Sequence, residues 1–122
     1  MIKRFDRLDI ATADLGDASV TYERNFGFSV KPREGGDDAM ITIGDAEIRL
    51  RSGWDASQLI AKSGEGLAAV WLEADDIGEV VAALEKAGIG HRLLTADNGR
   101  RAVEIDPAAA NMVPLFIFDH RA

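Results

Sequence analysis

The sequence predicts an α+β fold built from two tandem βαβββ modules, residues 1–52 and 67–122, joined by a linker over residues 53–66. Three observations predict it. Each half reads as a strand, a helix and three further strands, with apolar periodicity switching from two to that of a helix and back. Matching elements recur at near-constant spacing: Leu15 and Ile77 lie 62 residues apart, Gly27 and Gly88 61, Ile41 and Val103 62, and Ile48 and Val113 65. Between the halves, Gly53, Ser57, Ser63, Gly64 and Gly66 break an otherwise apolar-patterned chain. Constant spacing at element boundaries is the mark of a duplicated unit within one domain of 122 residues.

The first half is justified element by element. From Phe5 to Thr12, Leu8 and Ile10 fall on one face and Arg7 and Asp9 on the other, the alternation of a half-buried strand. Asp14 is placed to cap a helix and Asp17 to favour its first turn. Leu15, Ser19, Tyr22 and Phe26 then share one helical face, with Ala18 beside them, and Gly27 stops the helix. A short strand follows over Phe28–Glu34. Gly35-Gly36-Asp37-Asp38 is a turn by composition, and Ala39–Ile43 and Ala46–Ser52 form a hairpin closed at Gly44-Asp45.

The segment over 53–66 carries only a weak apolar cluster at Leu59-Ile60 and predicts a linker with one helical turn. The second half starts with a strand at Leu67–Ala74. Asp76 and Glu79 have capping-box spacing ahead of the stripe Ile77, Val80, Val81, Leu84, and Gly88 ends that helix. Strands follow at Gly90–Thr95, Arg101–Ile105 and Met112–Phe118, with turns at Asp97-Asn98-Gly99 and Asp106-Pro107.

Composition narrows the function classes. With 47% hydrophobic residues the chain can build a core and is far from a disordered composition. It has no cysteine, so disulfides, thiolate metal sites and thiol nucleophiles are excluded. The net charge of −7, from 21 acidic and 14 basic residues, argues against nucleic acid as a partner. It reads as a solvated acidic surface that permits a cationic partner without requiring one. Met1-Ile2-Lys3-Arg4 leads directly into a strand without the apolar core of a signal peptide, and no apolar run reaches the roughly 20 residues of a membrane helix. The expectation is a cytoplasmic protein that does not engage a membrane. No phosphate-binding loop, dinucleotide fingerprint or nucleophile elbow is present.

Asp6 through Leu15, Tyr22, Gly27-Phe28, the run Ala69-Val70-Trp71-Leu72-Glu73-Ala74-Asp75-Asp76-Ile77, and the segment Asp106-Pro107 to Asn111 together resemble the vicinal oxygen chelate superfamily. That family includes glyoxalase I, bleomycin-resistance proteins and extradiol dioxygenases. The resemblance covers nearly the whole chain and implies curved mixed sheets enclosing a cavity. Metal-dependent members carry four ligands, usually His and Glu, on the first and last strands of the modules. The corresponding places here hold Arg7, Arg49, Ala69 and Pro114. Arginine has no lone pair to give a metal, and alanine and proline side chains have no donor atom. No metal and no other cofactor is therefore expected. His91 and His120 are the only histidines, too few to replace the missing set.

Strand parity then nominates a ligand-binding face. If Arg7 and Arg49 point inward, Asp9, Glu47 and Arg51 do so too, and Ala69, Trp71, Glu73, Phe116 and Phe118 come from the second module. Leu8, Ile10, Ile48, Leu50, Val70, Leu72, Val113, Leu115 and Ile117 fall on the opposite, helix-facing side. Charge mixed with large aromatics suits a small-molecule pocket. Equally, Asp9, Glu47 and Glu73 neutralise the arginines in a purely structural network. Glu73 beside Trp71 is the one candidate general base, on the expectation that apolar burial raises its pKa. Asp37-Asp38 and Asp75-Asp76 read as a turn and a helix cap.

Three functions fit. The first is a metal-free protein of this family that binds a small organic molecule in the cavity, as bleomycin-resistance proteins do. The second is a lyase, isomerase or dioxygenase relative using Glu73 or a metal held at other positions. The third is an assembly or regulatory protein with a filled cavity. A homodimer is expected, because open sheets leave edges and faces that need a partner.

Overall fold

The computed structural model describes residues 1–33, 36–95 and 99–120. Of the expected turns, the one at Asp97-Asn98 lies outside the described residues, as do Glu34 and Gly35. The chain is α+β, with two compact units: Arg7–Ala68 forms one, and Met1–Asp6 joins Ala69–Ala122 in the other. The elements run β1 (Ile2–Ala11), α1 (Leu15–Phe26), β2 (Lys31–Pro32), β3 (Asp38–Ile43), β4 (Ala46–Arg51), α2 (Trp54–Ser63), β5 (Gly66–Ala74), α3 (Ile77–Ala87), β6 (His91–Thr95), β7 (Arg101–Ile105) and β8 (Leu115–Phe118), with a 3-10 turn at Pro107–Ala109 before β8.

In the unit Arg7–Ala68 the strands lie in the order β2-β3-β4-β1. β3 and β4 form an antiparallel hairpin, and β4 returns parallel to β1. The register places Arg7 opposite Glu47, Asp9 opposite Arg49, and Ala11 opposite Arg51. Since side chains alternate along a strand, these residues share one face, together with Asp38, Met40 and Thr42 of β3. α1 is capped as its sequence directs: Asp14 accepts from the Asp17 N–H at 3.0 Å, and Gly27 closes the helix at φ 68°. Among the described residues this unit's buried hydrophobic side chains are few, namely Ala11, Ala39 and Ala56 with Ile41 and Leu50.

The other unit repeats the topology, with strands in the order β5-β8-β7-β6 and β5 parallel to β8. Met1 belongs to it through its carbonyl, which accepts from the Asp75 N–H at 3.1 Å. The α3 side holds a core of Ala74, Ile77, Val80, Val103, Ile105 and Ile117, with Leu72 and Leu115 packed on it. The opposite face holds a second cluster of Ala69, Trp71, Ala102 and Phe118, with Leu94 and Phe116 against it. α3 begins at Asp76, which accepts from the Gly78 N–H at 2.8 Å, and ends at Gly88 with φ 70°.

Three expectations about elements are corrected. Residues 53–66 hold a helix of 10 residues, α2, where a linker with one helical turn was expected. Its residue spacing buries Ala56 and half-buries Ile60 one turn on, and Asp55 and Lys62 suit its two ends. Of the described residues in the strand expected over Phe28–Glu34, only Lys31–Pro32 form a strand, and Pro32 brings no N–H to a ladder. The last strand starts at Leu115 and not at Met112, since Asn111 and Met112 have φ of 54° and 64°, which no strand accommodates.

Candidate functional site

The face shared by β1, β4 and β3 gathers arginines around two aspartates. Asp9 is fully buried. It receives Arg7 Nε at 2.9 Å on one oxygen and Arg51 Nη1 at 3.3 Å on the other. Asp38, at the start of β3, lies 3.2 Å from Arg33 Nη1 and 3.8 Å from Arg49 Nε. The side chains of Arg7 and Arg49 are each only 12% exposed. Burial, and then the neighbouring Arg7 charge, push the Arg49 guanidinium below its ordinary pKa, against the pull of Asp9 and Asp38. Among the described residues, four guanidinium groups, of Arg7, Arg33, Arg49 and Arg51, thus share one sheet face with three carboxylates, of Asp9, Asp38 and Glu47, a local excess of one positive charge.

The other unit carries the aromatic residues. Trp71 of β5 stacks on Phe116 of β8 with ring centroids 4.7 Å apart, and Phe118 meets Trp71 edge-on at 6.2 Å. The register explains the contact: Trp71 pairs with Phe116, and Glu73 with Phe118. Glu73 is buried, but its surroundings are cationic. Arg4 Nε lies 2.8 Å from Oε1, while His120 Nε2 at 3.2 Å and Lys3 Nζ at 3.7 Å face Oε2. Burial alone would raise its pKa, as the sequence suggested. The Arg4 hydrogen bond and the charges of His120, Arg4 and Lys3 outweigh burial and lower it. An ionised carboxylate held by Arg4 and Lys3, with the His120 ring against it, is a weak base, so the expectation of an apolar, raised-pKa Glu73 is corrected.

The nine expected ligand-binding residues thus fall into two groups. Arg7, Asp9, Arg49 and Arg51 come together with Glu47 on their face, and Trp71, Phe116 and Phe118 come together with Glu73 beside them. None of the nine lines either of two surface concavities among the described residues. One, of about 460 Å³, lies against α1, and the other, of about 380 Å³, lies by β6 and β7.

Sequence reasoning missed Arg4 and Lys3, which precede the expected first strand. It also missed Asp119, which is fully buried and accepts from the Ile77 N–H at 2.7 Å and from Arg101 Nη2 at 2.7 Å. A lone carboxylate directly after an apolar strand was the one available signal.

The places at which metal-dependent relatives carry ligands do not fit a metal. Arg7 and Arg49 are cations set against Asp9 and Asp38, and Ala69 and Pro114 present no donor atom. Among the described residues no three His, Asp or Glu side chains converge on a common point as a ligand set.

Comparison with known proteins places this geometry. Residues 4–108 match the family model described as Glyoxalase/Bleomycin resistance protein/Dioxygenase superfamily. No curated protein matches by sequence. Solved structures with the same fold include a hypothetical protein from Bacillus halodurans C-125, 17% identical with a TM-score of 0.79 over 98% of this chain and 95% of that one. Methylmalonyl-CoA epimerase from Mycobacterium tuberculosis is 18% identical, with a TM-score of 0.76 over 99% of this chain and 90% of that one. Methylmalonyl-CoA epimerase from Streptomyces coelicolor, in complex with 2-nitronate-propionyl-CoA, is 20% identical with a TM-score of 0.74 over the full length of both. At these identities the structural likeness establishes the fold. The family match over most of the chain, with a βαβββ unit repeated on each side, shows that the protein belongs to the glyoxalase/bleomycin resistance protein/dioxygenase superfamily.

Proposed function

We propose that the protein binds a small organic acid without a metal, its anionic group received by Arg7 and Arg49. The observation that carries this reading is the pair of nearly buried guanidiniums on a sheet face with more arginines than carboxylates. Burying two like charges side by side is costly, and an incoming anion relieves that cost. A guanidinium's planar fork matches a carboxylate with two parallel hydrogen bonds. Structural neighbours in complex with methylmalonyl-CoA and 2-nitronate-propionyl-CoA support a small organic ligand on this fold.

Catalysis of an isomerase kind is the second reading, supported by the epimerase neighbours. It is the weaker one, because Glu73, its candidate base, is held ionised by Arg4, His120 and Lys3.

Arg49→Leu tests the proposal. Asp38 keeps Arg33, and Asp9 keeps Arg7 and Arg51, so neither of these two carboxylates is stranded by the substitution. The stability loss, read by urea unfolding, is expected to stay well below the roughly 3–5 kcal/mol of breaking a buried pair. Calorimetric affinity for benzoate and short aliphatic acids is expected to fall about 10- to 100-fold, the worth of a charge-assisted hydrogen bond. Failure of the parent protein to bind any acid of such a panel, or binding unchanged in the variant, would overturn the proposal.

A further inference from the structure

The two modules differ where their helices meet their sheets. α1 and α3 are equivalent from cap to cap, from Asp14 to Gly27 and from Asp76 to Gly88. The fourth residue after the cap is Val80 in α3, 2% exposed and part of the core. The equivalent residue of α1 is Ala18, and α1 buries no residue at all. Beside Ala18, a cleft of about 460 Å³ lies between α1, the end of β1 and the segment before β5. Ile10 and Ala18 give it an apolar floor, and Tyr22 contributes an aromatic ring.

The cleft's charged groups are Asp14, Asp17 and Glu65. Asp14 and Asp17 also serve the α1 N-terminus, but Glu65 comes from the other side, after α2. Glu65 Oε1 accepts from the Ala13 N–H at 2.7 Å and from Thr12 Oγ1 at 3.1 Å. These donors are neutral. Among the described residues, no lysine, arginine or histidine pairs with any of the three carboxylates. A cleft of a few hundred Å³ with apolar walls is of small-molecule size. Carboxylates beside an aromatic ring select positive charge.

We propose that this cleft of the first module binds a small organic cation, an ammonium group carried on a compact apolar body. The site is separate from the arginine face, and the sign of its preferred ligand is opposite.

Benzyltrimethylammonium is the probe, followed by amide chemical shifts in NMR spectra of the whole protein. Saturable shifts confined to Thr12, Ala13, Ala18 and Gly66 are expected in the millimolar range or below. Ala18→Leu adds a larger apolar side chain to the cleft wall and is expected to abolish them. Glu65→Gln keeps both acceptor bonds while removing the charge, and is expected to weaken binding about two- to fivefold, as for an exposed ion pair. This second variant tests the charge even if Ala18→Leu disturbs the helix. Benzyl alcohol, which has the ring without the charge, is expected to bind more weakly. Absence of saturable shifts overturns the proposal, as do shifts that persist in Ala18→Leu, equal affinity in Glu65→Gln, or equal binding of benzyl alcohol. Benzoate serves as the control for the arginine face: its success or failure leaves the outcome at this cleft independent.

Discussion

Glu73 has its carboxylate 2.8 Å from Arg4 Nε, 3.2 Å from His120 Nε2 and 3.7 Å from Lys3 Nζ. Burial raises its pKa and these cations lower it further than burial raises it, so the folded value lies below the ordinary one of 4.5. A carboxyl group with a depressed folded pKa contributes stability that is fully present above its unfolded pKa and is lost as pH falls through the folded value. The difference in unfolding free energy between the parent and Glu73→Gln is therefore expected not to fall between neutral pH and about 4.5 and to shrink only below that. Urea unfolding of both proteins across a pH series reads this. A difference that already declines near pH 6 would mean a raised pKa and a different environment. Strand parity made Glu73 legible as a neighbour of Trp71, because the alternation is local. The partners that set its charge were not legible, since Arg4 stands 69 residues away and enters through strand pairing. Asp119 was hidden for the same reason: its partners, Ile77 and Arg101, are 42 and 18 residues distant.

Helices were the most legible elements, because their ends are written in single residues. Asp14 and Asp76 cap α1 and α3, and Gly27 and Gly88 close them in the left-handed conformation. A Cβ at either glycine meets nothing within 4 Å, so only backbone strain opposes alanine there. Gly27→Ala and Gly88→Ala are each expected to cost about 1 kcal/mol. Gly16→Ala, inside α1 at negative φ and with only Asp14 Oδ1 at 3.5 Å, is expected to stabilise by a few tenths of a kcal/mol or more. Opposite signs at Gly27 and Gly16 in urea unfolding check the argument, and a stabilising Gly27→Ala would contradict it. α2 escaped the sequence reading because Gly53 and Gly64, its flanking residues, look like linker composition while the signal inside is only Ala56 and Ile60. The strands between α1 and β3 and before β8 were overextended, because periodicity continues through Pro32 and Met112 where backbone chemistry does not.

At the scale of the whole molecule, the net charge of −7 conceals a division of labour among surfaces. The Arg7–Asp9–Arg49–Arg51 face is locally cationic, and the cleft under α1 is locally anionic. The superfamily's fold is present in full: each module pairs its first and last strands in parallel, β1 with β4 and β5 with β8. Metal-dependent relatives use those strands to converge His and Glu on one ion. Here they carry Arg7, Arg49, Ala69 and, just before β8, Pro114. A divalent cation placed near Arg7 and Arg49 meets two positive charges and finds no lone pair on any of the four side chains. Asp9 and Asp38, two carboxylates on this face, are already engaged by arginines at 2.9 to 3.8 Å. Binding a metal there means first displacing those guanidiniums. Freshly purified protein is therefore expected to hold Zn, Ni, Fe and Mn at well below one per chain in elemental analysis. On this reading a chelator leaves its thermal transition in place, since an ion that is not bound adds nothing to the folding free energy. One equivalent of a transition metal per chain, or unfolding on chelation, would show that other residues assemble a metal site and would return metal-assisted catalysis to first place over ligand binding.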